Sequence, residues 1–125
     1  MEIIETKEAP SAVGAYSQGV VAGDFVFVSG QIPLDPATGK IVGDSIEEQT
    51  AQALENVRAV LKTRNLDFEN VCKVEIYMDD INNFSAINEI YAEKLGESRP
   101  ARQAMQVAAL PKGAKVEISC IAHIS

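Results

Sequence analysis

Apolar positions along the chain recur with two spacings, about two residues and about 3.6, and the switches between them mark out the elements. From Val20 to Ser29 the sequence is β-rich and is interrupted by Ala22-Gly23-Asp24, which predicts two strands of a hairpin. Pro33, Asp35-Pro36 and Thr38-Gly39 then signal turns. Ser45, with Glu48 three residues on, is a capping-box pattern ahead of the apolar stripe Ile46, Ala53, Leu54, Val57, Val60 and Leu61. This predicts a first helix, with Lys62 and Arg64 near its end where cations favour the dipole and Asn65 as the C-terminal cap.

A strand is predicted over Val71 to Met78, with Cys72, Val74, Ile76 and Met78 on one face and Val71, Lys73, Glu75 and Tyr77 on the other. That phase points Cys72 into a hydrophobic layer. A second helix is expected from about Phe84 to Leu95, ending at Gly96. Two more strands, near Ala101 to Ala108 and Lys115 to Ala122, are joined by the turn Leu110-Pro111-Lys112-Gly113. In the second, Val116, Ile118 and Cys120 share a face opposite Glu117, Ser119 and Ile121.

Two helices cover one face of a sheet of five or six strands, an α+β domain of two layers. Val20, Phe25, Phe27 and Ile121 place apolar side chains on the remaining face as well. Either a partner subunit covers that face, or the sheet closes on itself as a barrel. No repeat, linker or low-complexity tract divides residues 1–125, so a single domain is expected.

Charge and the rarer residues narrow the chemistry. A formal charge of −7 with no run of Lys and Arg disfavours nucleic acid as a partner. The start, Met1-Glu2-Ile3-Ile4-Glu5-Thr6-Lys7, lacks the order of a secretory signal, and no apolar stretch reaches the roughly 20 residues that cross a bilayer. A cytoplasmic protein is the expectation. Cys72 and Cys120 then read as reduced core thiols, and they lie too far apart for a Cys-x-x-Cys metal pair. The lone His123 has no adjacent nucleophile and reads as an exposed or partner-facing side chain.

Two stretches carry candidate chemistry. Gly14-Ala15-Tyr16-Ser17-Gln18-Gly19 has no Gly-Lys-Ser/Thr ending, so it is not a Walker loop, and a turn into the hairpin explains it. Arg99-Pro100-Ala101-Arg102 precedes Glu117 on the next predicted strand. The Arg102–Glu117 pair reads either as a cross-strand salt bridge or as a carboxylate anchor facing a water-activating acid.

Nearly the whole sequence resembles the Rid family, also called YjgF or L-PSP. The matching stretches are Ala9-Pro10, Gly14-Ala15-Tyr16-Ser17-Gln18, Phe27 through Gly39, Gln49-Thr50 with Asn56, Asn88-Glu89-Ile90-Tyr91, Arg99-Pro100-Ala101-Arg102 and Leu110 through Ile118. The resemblance implies a chorismate-mutase-like α+β subunit with a mixed sheet of about six strands. It also implies a homotrimer with clefts between subunits. The implied activity is that of a 2-iminobutanoate/2-iminopropanoate deaminase, a hydrolase without cofactor or metal that acts on enamines and imines such as 2-aminoacrylate.

Carried over residue by residue, Arg102 would bind the substrate carboxylate, and Glu117 and Tyr16 would complete the catalytic set. Ser29, Gly30, Gln31, Asn88 and Ala104 would contact substrate. Two positions depart from the family pattern: Ala15 stands where proline is common, and Ala104 stands where cysteine is frequent. Ala104 argues against thiol chemistry, since only its backbone is left to serve. A non-catalytic sensor of 2-oxo acids is the alternative use of the same cleft. An endoribonuclease or translation inhibitor is a further one, which the acidic charge opposes.

Overall fold

A computed structural model describes residues 1–125. Six strands, β1 (Glu2–Ile4), β2 (Gly19–Ala22), β3 (Phe25–Gln31), β4 (Val71–Met78), β5 (Ala101–Gln106) and β6 (Val116–His123), form one sheet in the order β1-β2-β3-β6-β4-β5. Only β4 and β5 run parallel; every other pairing is antiparallel. The sheet is mixed and open, with β1 and β5 at its edges, so it does not close as a barrel within the chain. Helices α1 (Ile46–Lys62) and α2 (Phe84–Leu95) pack together against one face. Neither is long and apolar enough to cross a membrane.

The helices begin and end where the sequence places them. Ser45 is extended at φ −78° and its Oγ accepts from the Glu48 N–H at 3.0 Å, satisfying one orphan donor of the first turn. The Glu48 carboxylate, instead of reaching back to the cap N–H, takes the Ser45 hydroxyl at 2.9 Å. At the end of α2, Gly96 adopts φ 62° while its N–H bonds the Ala92 carbonyl, a conformation a side chain would oppose.

Cross-strand pairing sorts the side chains into rows. The row Ile4–Gly19–Val28–Cys120–Val74–Arg102 faces the helices, is buried from Ile4 to Val74, and emerges at the edge strand with Arg102. The row Ile3–Val20–Phe27–Ile121–Lys73–Ala101 faces away from them, and Ile3 and Phe27 remain 67% and 43% exposed. Both faces carry apolar side chains, and only one is covered within the chain.

Two expectations are corrected, and several short elements escape the sequence reading. Cys72 is exposed and Val71 buried, because the β4–β6 register slips by one residue between Val71 and Lys73 and reverses the phase at that end of the strand. Only Cys120 is a core thiol. Strands β5 and β6, expected to pair across Arg102 and Glu117, are not neighbours, since β4 lies between them, and the turn at Leu110 to Gly113 is part of a crossover. The short β1 and the 3-10 turns at Phe68–Asn70, Ile81–Asn83 and Pro111–Gly113 left no clear periodicity to read.

Candidate functional site

The residues expected to act together divide into two groups. On the open side, Tyr16, Ser29, Gly30, Gln31, Lys112 and Glu117 line a cavity of about 490 Å³. At the β5 edge, Tyr91, Arg99, Pro100 and Arg102 line a smaller one of about 340 Å³. Arg102 and Glu117 cannot form a cross-strand salt bridge. Glu117 pairs through Tyr77 to Met105 on the face away from the helices, whereas Arg102 lies three positions before Met105 and on the helix face. That places the two Cα atoms about 10 Å apart along the strands and about 10 Å across them, with the sheet between their side chains.

Glu117 is half-buried and has no hydrogen-bond or ion-pair partner. Burial pushes its carboxyl above the usual range, because the charged form gives up solvation and receives no countercharge. Its placement follows from a β-bulge: Val28 pairs with Cys120 and Gln31 with Ile118, so β3 carries one extra residue at Ser29–Gly30. Next to Glu117 on the same face, the Tyr77 hydroxyl donates to Glu75 Oε2 at 2.7 Å, and Gln103 donates to the same oxygen at 3.1 Å. The hydrogen bond to Glu75, burial and the charges of Glu75 and Glu117 together raise the Tyr77 pKa.

Arg102 is held in place by α2. Its Nη1 donates to Asn88 Oδ1 at 2.8 Å, and the guanidinium lies 4.8 Å from the Tyr91 ring centroid and 5.5 Å from that of Phe84. A guanidinium oriented by an amide and two aromatic faces keeps its remaining donors free for a carboxylate. Ala104 follows on the same face of β5, its methyl packed against the core, and β5 has an open edge.

Buried amides hold the cavity walls, a role the sequence reading did not assign. Gln18 receives the Thr6 N–H at 2.7 Å and donates to the Thr6, Ala9 and Pro10 carbonyls, fixing the segment that leads to Tyr16. Asn56 donates to the carbonyls of Ile32 and Leu34, directly after Gln31. Gln49 joins Gly43 to Lys115. Ser29 donates its hydroxyl to the Ser17 carbonyl at 2.5 Å, which leaves that oxygen an acceptor toward the cavity. A signal for two of these was present: Gln49 and Asn56 fall within the apolar stripe of α1, where an amide is either unsatisfied or bonded to something buried.

Comparison with known proteins agrees with this architecture. The profile of the family described as Endoribonuclease L-PSP matches residues 6–124. A RutC family protein of Pyrococcus horikoshii is 48% identical over 98% of this chain and 97% of its own length. A 2-iminobutanoate/2-iminopropanoate deaminase of Capra hircus is 48% identical over 96% of this chain and 88% of its own. The crystal structure of E. coli TdcF with bound serine superposes with a TM-score of 0.94 at 42% identity, covering all of both chains.

Proposed function

This chain belongs to the Rid (L-PSP) family, and from that premise we propose that it deaminates reactive imines by hydrolysis, without a cofactor, in clefts between copies of itself. The observation that carries the reading is the Glu117 carboxylate: half-buried, unpartnered and raised in pKa at the wall of a cavity. Such an acid can take a proton from water and return it to nitrogen. The names of the deaminase relatives supply the substrate class, 2-imino acids, which carry a carboxylate beside the reactive carbon. The related structure that binds serine supports a cleft suited to a small molecule with that carboxylate.

In the proposed reaction Arg102 holds the substrate carboxylate, with Asn88 steadying the guanidinium and the backbone at Ala104 alongside. Glu117 orients a water and removes its proton as the oxygen bonds to the carbon of the protonated imine, which leaves a neutral carbinolamine. Glu117 returns that proton to the amino nitrogen, the hydroxyl gives its own proton to Glu117 as the carbonyl forms and the C–N bond breaks, and the ammonia carries that proton away as ammonium beside the 2-oxo acid. An enamine such as 2-aminoacrylate enters as its imine tautomer. Tyr16 lines the cleft, and the backbone of Gly30 and Gln31 borders the reacting centre.

Because Arg102 and Glu117 lie on opposite faces of one sheet, a substrate that touches both must take them from different copies. The uncovered apolar row supplies a reason for copies to associate, and we take the assembly to be a trimer. The test uses imine generated in situ by a serine or threonine dehydratase and trapped with semicarbazide. Wild-type protein should divert the flux to 2-oxo acid, while Arg102→Ala and Glu117→Gln each should not. Refolding the two inactive variants together in equal amounts should restore about a quarter of the sites. No diversion by folded wild-type protein refutes the deaminase and leaves a 2-oxo acid sensor; no restoration in the mixture refutes the shared site.

A further inference from the structure

Gly30 occupies a position where its backbone conformation does not call for glycine. Five glycines of the chain have φ in the left-handed region, and Gly30 is not among them. The reason lies across the bulge. A Cβ built on Gly30 would stand 2.6 Å from Glu117 Oε2, 2.8 Å from its Cδ and 3.1 Å from its Cγ, and these are its three nearest neighbours. The first two separations are shorter than non-bonded contact allows. The Glu117 carboxylate therefore lies against the bare backbone of β3, in the volume a methyl group would otherwise fill.

We infer that Gly30 is a positioning residue for Glu117: its missing side chain is the socket that seats the carboxylate against the β3 bulge and aims it into the cavity. Two observations converge on this. The bulge supplies the extra residue that brings Gly30 beside Glu117, and no hydrogen bond or ion pair fixes the carboxylate in any other way. A half-buried acid with no partner has only shape to hold it. Seated against the strand it is shielded from water on one side, which is the source of its raised pKa; displaced, it would swing toward solvent. Within one copy Arg102 lies on the opposite face of the sheet, so a methyl at position 30 meets Glu117 and not that copy's carboxylate anchor.

The inference concerns the same site as the proposed deaminase, so its test includes readouts that do not need turnover. In Gly30→Ala, the Glu117 carboxyl, followed by NMR in protein with ¹³C-labelled glutamate, should titrate closer to an ordinary glutamate than in wild type. On imine substrate the variant should lose about 10²-fold in kcat, as expected for a misplaced base, with KM changed by less than about threefold. The acid limb of its kcat profile should move in the direction of the carboxyl titration. A double-mutant cycle guards against poor folding: the change that Gly30→Ala makes in the unfolding midpoint should differ between the Glu117 protein and a Glu117→Ala background.

An unchanged Glu117 titration in a folded Gly30→Ala protein overturns the inference. So does an equal change of stability in both backgrounds, which would mean that the added methyl does not meet Glu117. If wild-type protein fails to deaminate imines while the titration and the cycle come out as expected, the deaminase reading falls and the socket stands.

Discussion

Asp67 and Glu117 are both carboxylates partly withdrawn from water, and their surroundings move them in opposite directions. Behind α1, burial pushes Asp67 up, but hydrogen bonds from Lys62, the Phe68 N–H and Arg58, together with the Arg58 charge, hold it below its ordinary value. Arg58 Nε and Lys62 Nζ approach it at 3.0 and 2.9 Å. Across the sheet Glu117 is raised by burial alone. The first acid caps the Phe68–Asn70 turn and ties it to α1. The second has no structural bond to make, and a group in that condition is free to exchange a proton. Satisfaction, more than depth, separates the two carboxylates.

The largest effect that would sharpen this contrast is catalytic. Glu117→Gln should lower imine deamination by about 10²- to 10⁴-fold, while Asp67→Asn should leave the rate within about twofold of wild type in the same trapping assay. A comparable loss in both variants would dissolve the distinction.

An intermediate effect lies in stability against pH, measured by urea unfolding of each variant beside wild type. Glu117 has a folded pKa above its unfolded one, so the native state binds the extra proton in that window. Relative to Glu117→Gln, wild type should lose stability as pH rises from the ordinary glutamate value through the raised one. Asp67 has the reverse sign: relative to Asp67→Asn, its contribution should be complete above the ordinary aspartate value and fade as pH falls through the depressed one. Slopes of the same sign would break the comparison.

The smallest effect should come from Lys62→Ala. Its side chain is 58% exposed, so although its loss should raise the Asp67 pKa in an NMR titration, the unfolding free energy should change by no more than about 0.5–1 kcal/mol.

Helices α1 and α2 were legible because each carries its own period and caps, from Ser45 and from Gly96. The faces of β6 were legible from alternation, and the uncovered apolar face followed from counting which sides carry apolar residues. Strand partners were not. Alternation tells which way Glu117 points but not that β4 separates it from β5, so the Arg102–Glu117 pairing read from proximity in sequence put both on one surface. Bulges escaped for a related reason: one extra residue at Val71–Lys73 inverted Cys72, and one at Ser29–Gly30 created the seat of Glu117, each without changing composition. Of the candidate site, the resemblance supplied the residues and the structure supplied their division between two surfaces.

The slip in β4 also leaves the chain chemically asymmetric in its sulfur. Cys120 is sealed beneath the helices with its thiol pushed up to about 12, while Cys72 stands exposed beside the Ile121 carbonyl, 3.2 Å from its Sγ. In a single copy a thiol reagent thus meets one cysteine. Because Cys72 stands next to the apolar row that the proposed association of copies covers, its reaction rate reports whether the copies are apart or together, with no residue engineered to provide the probe.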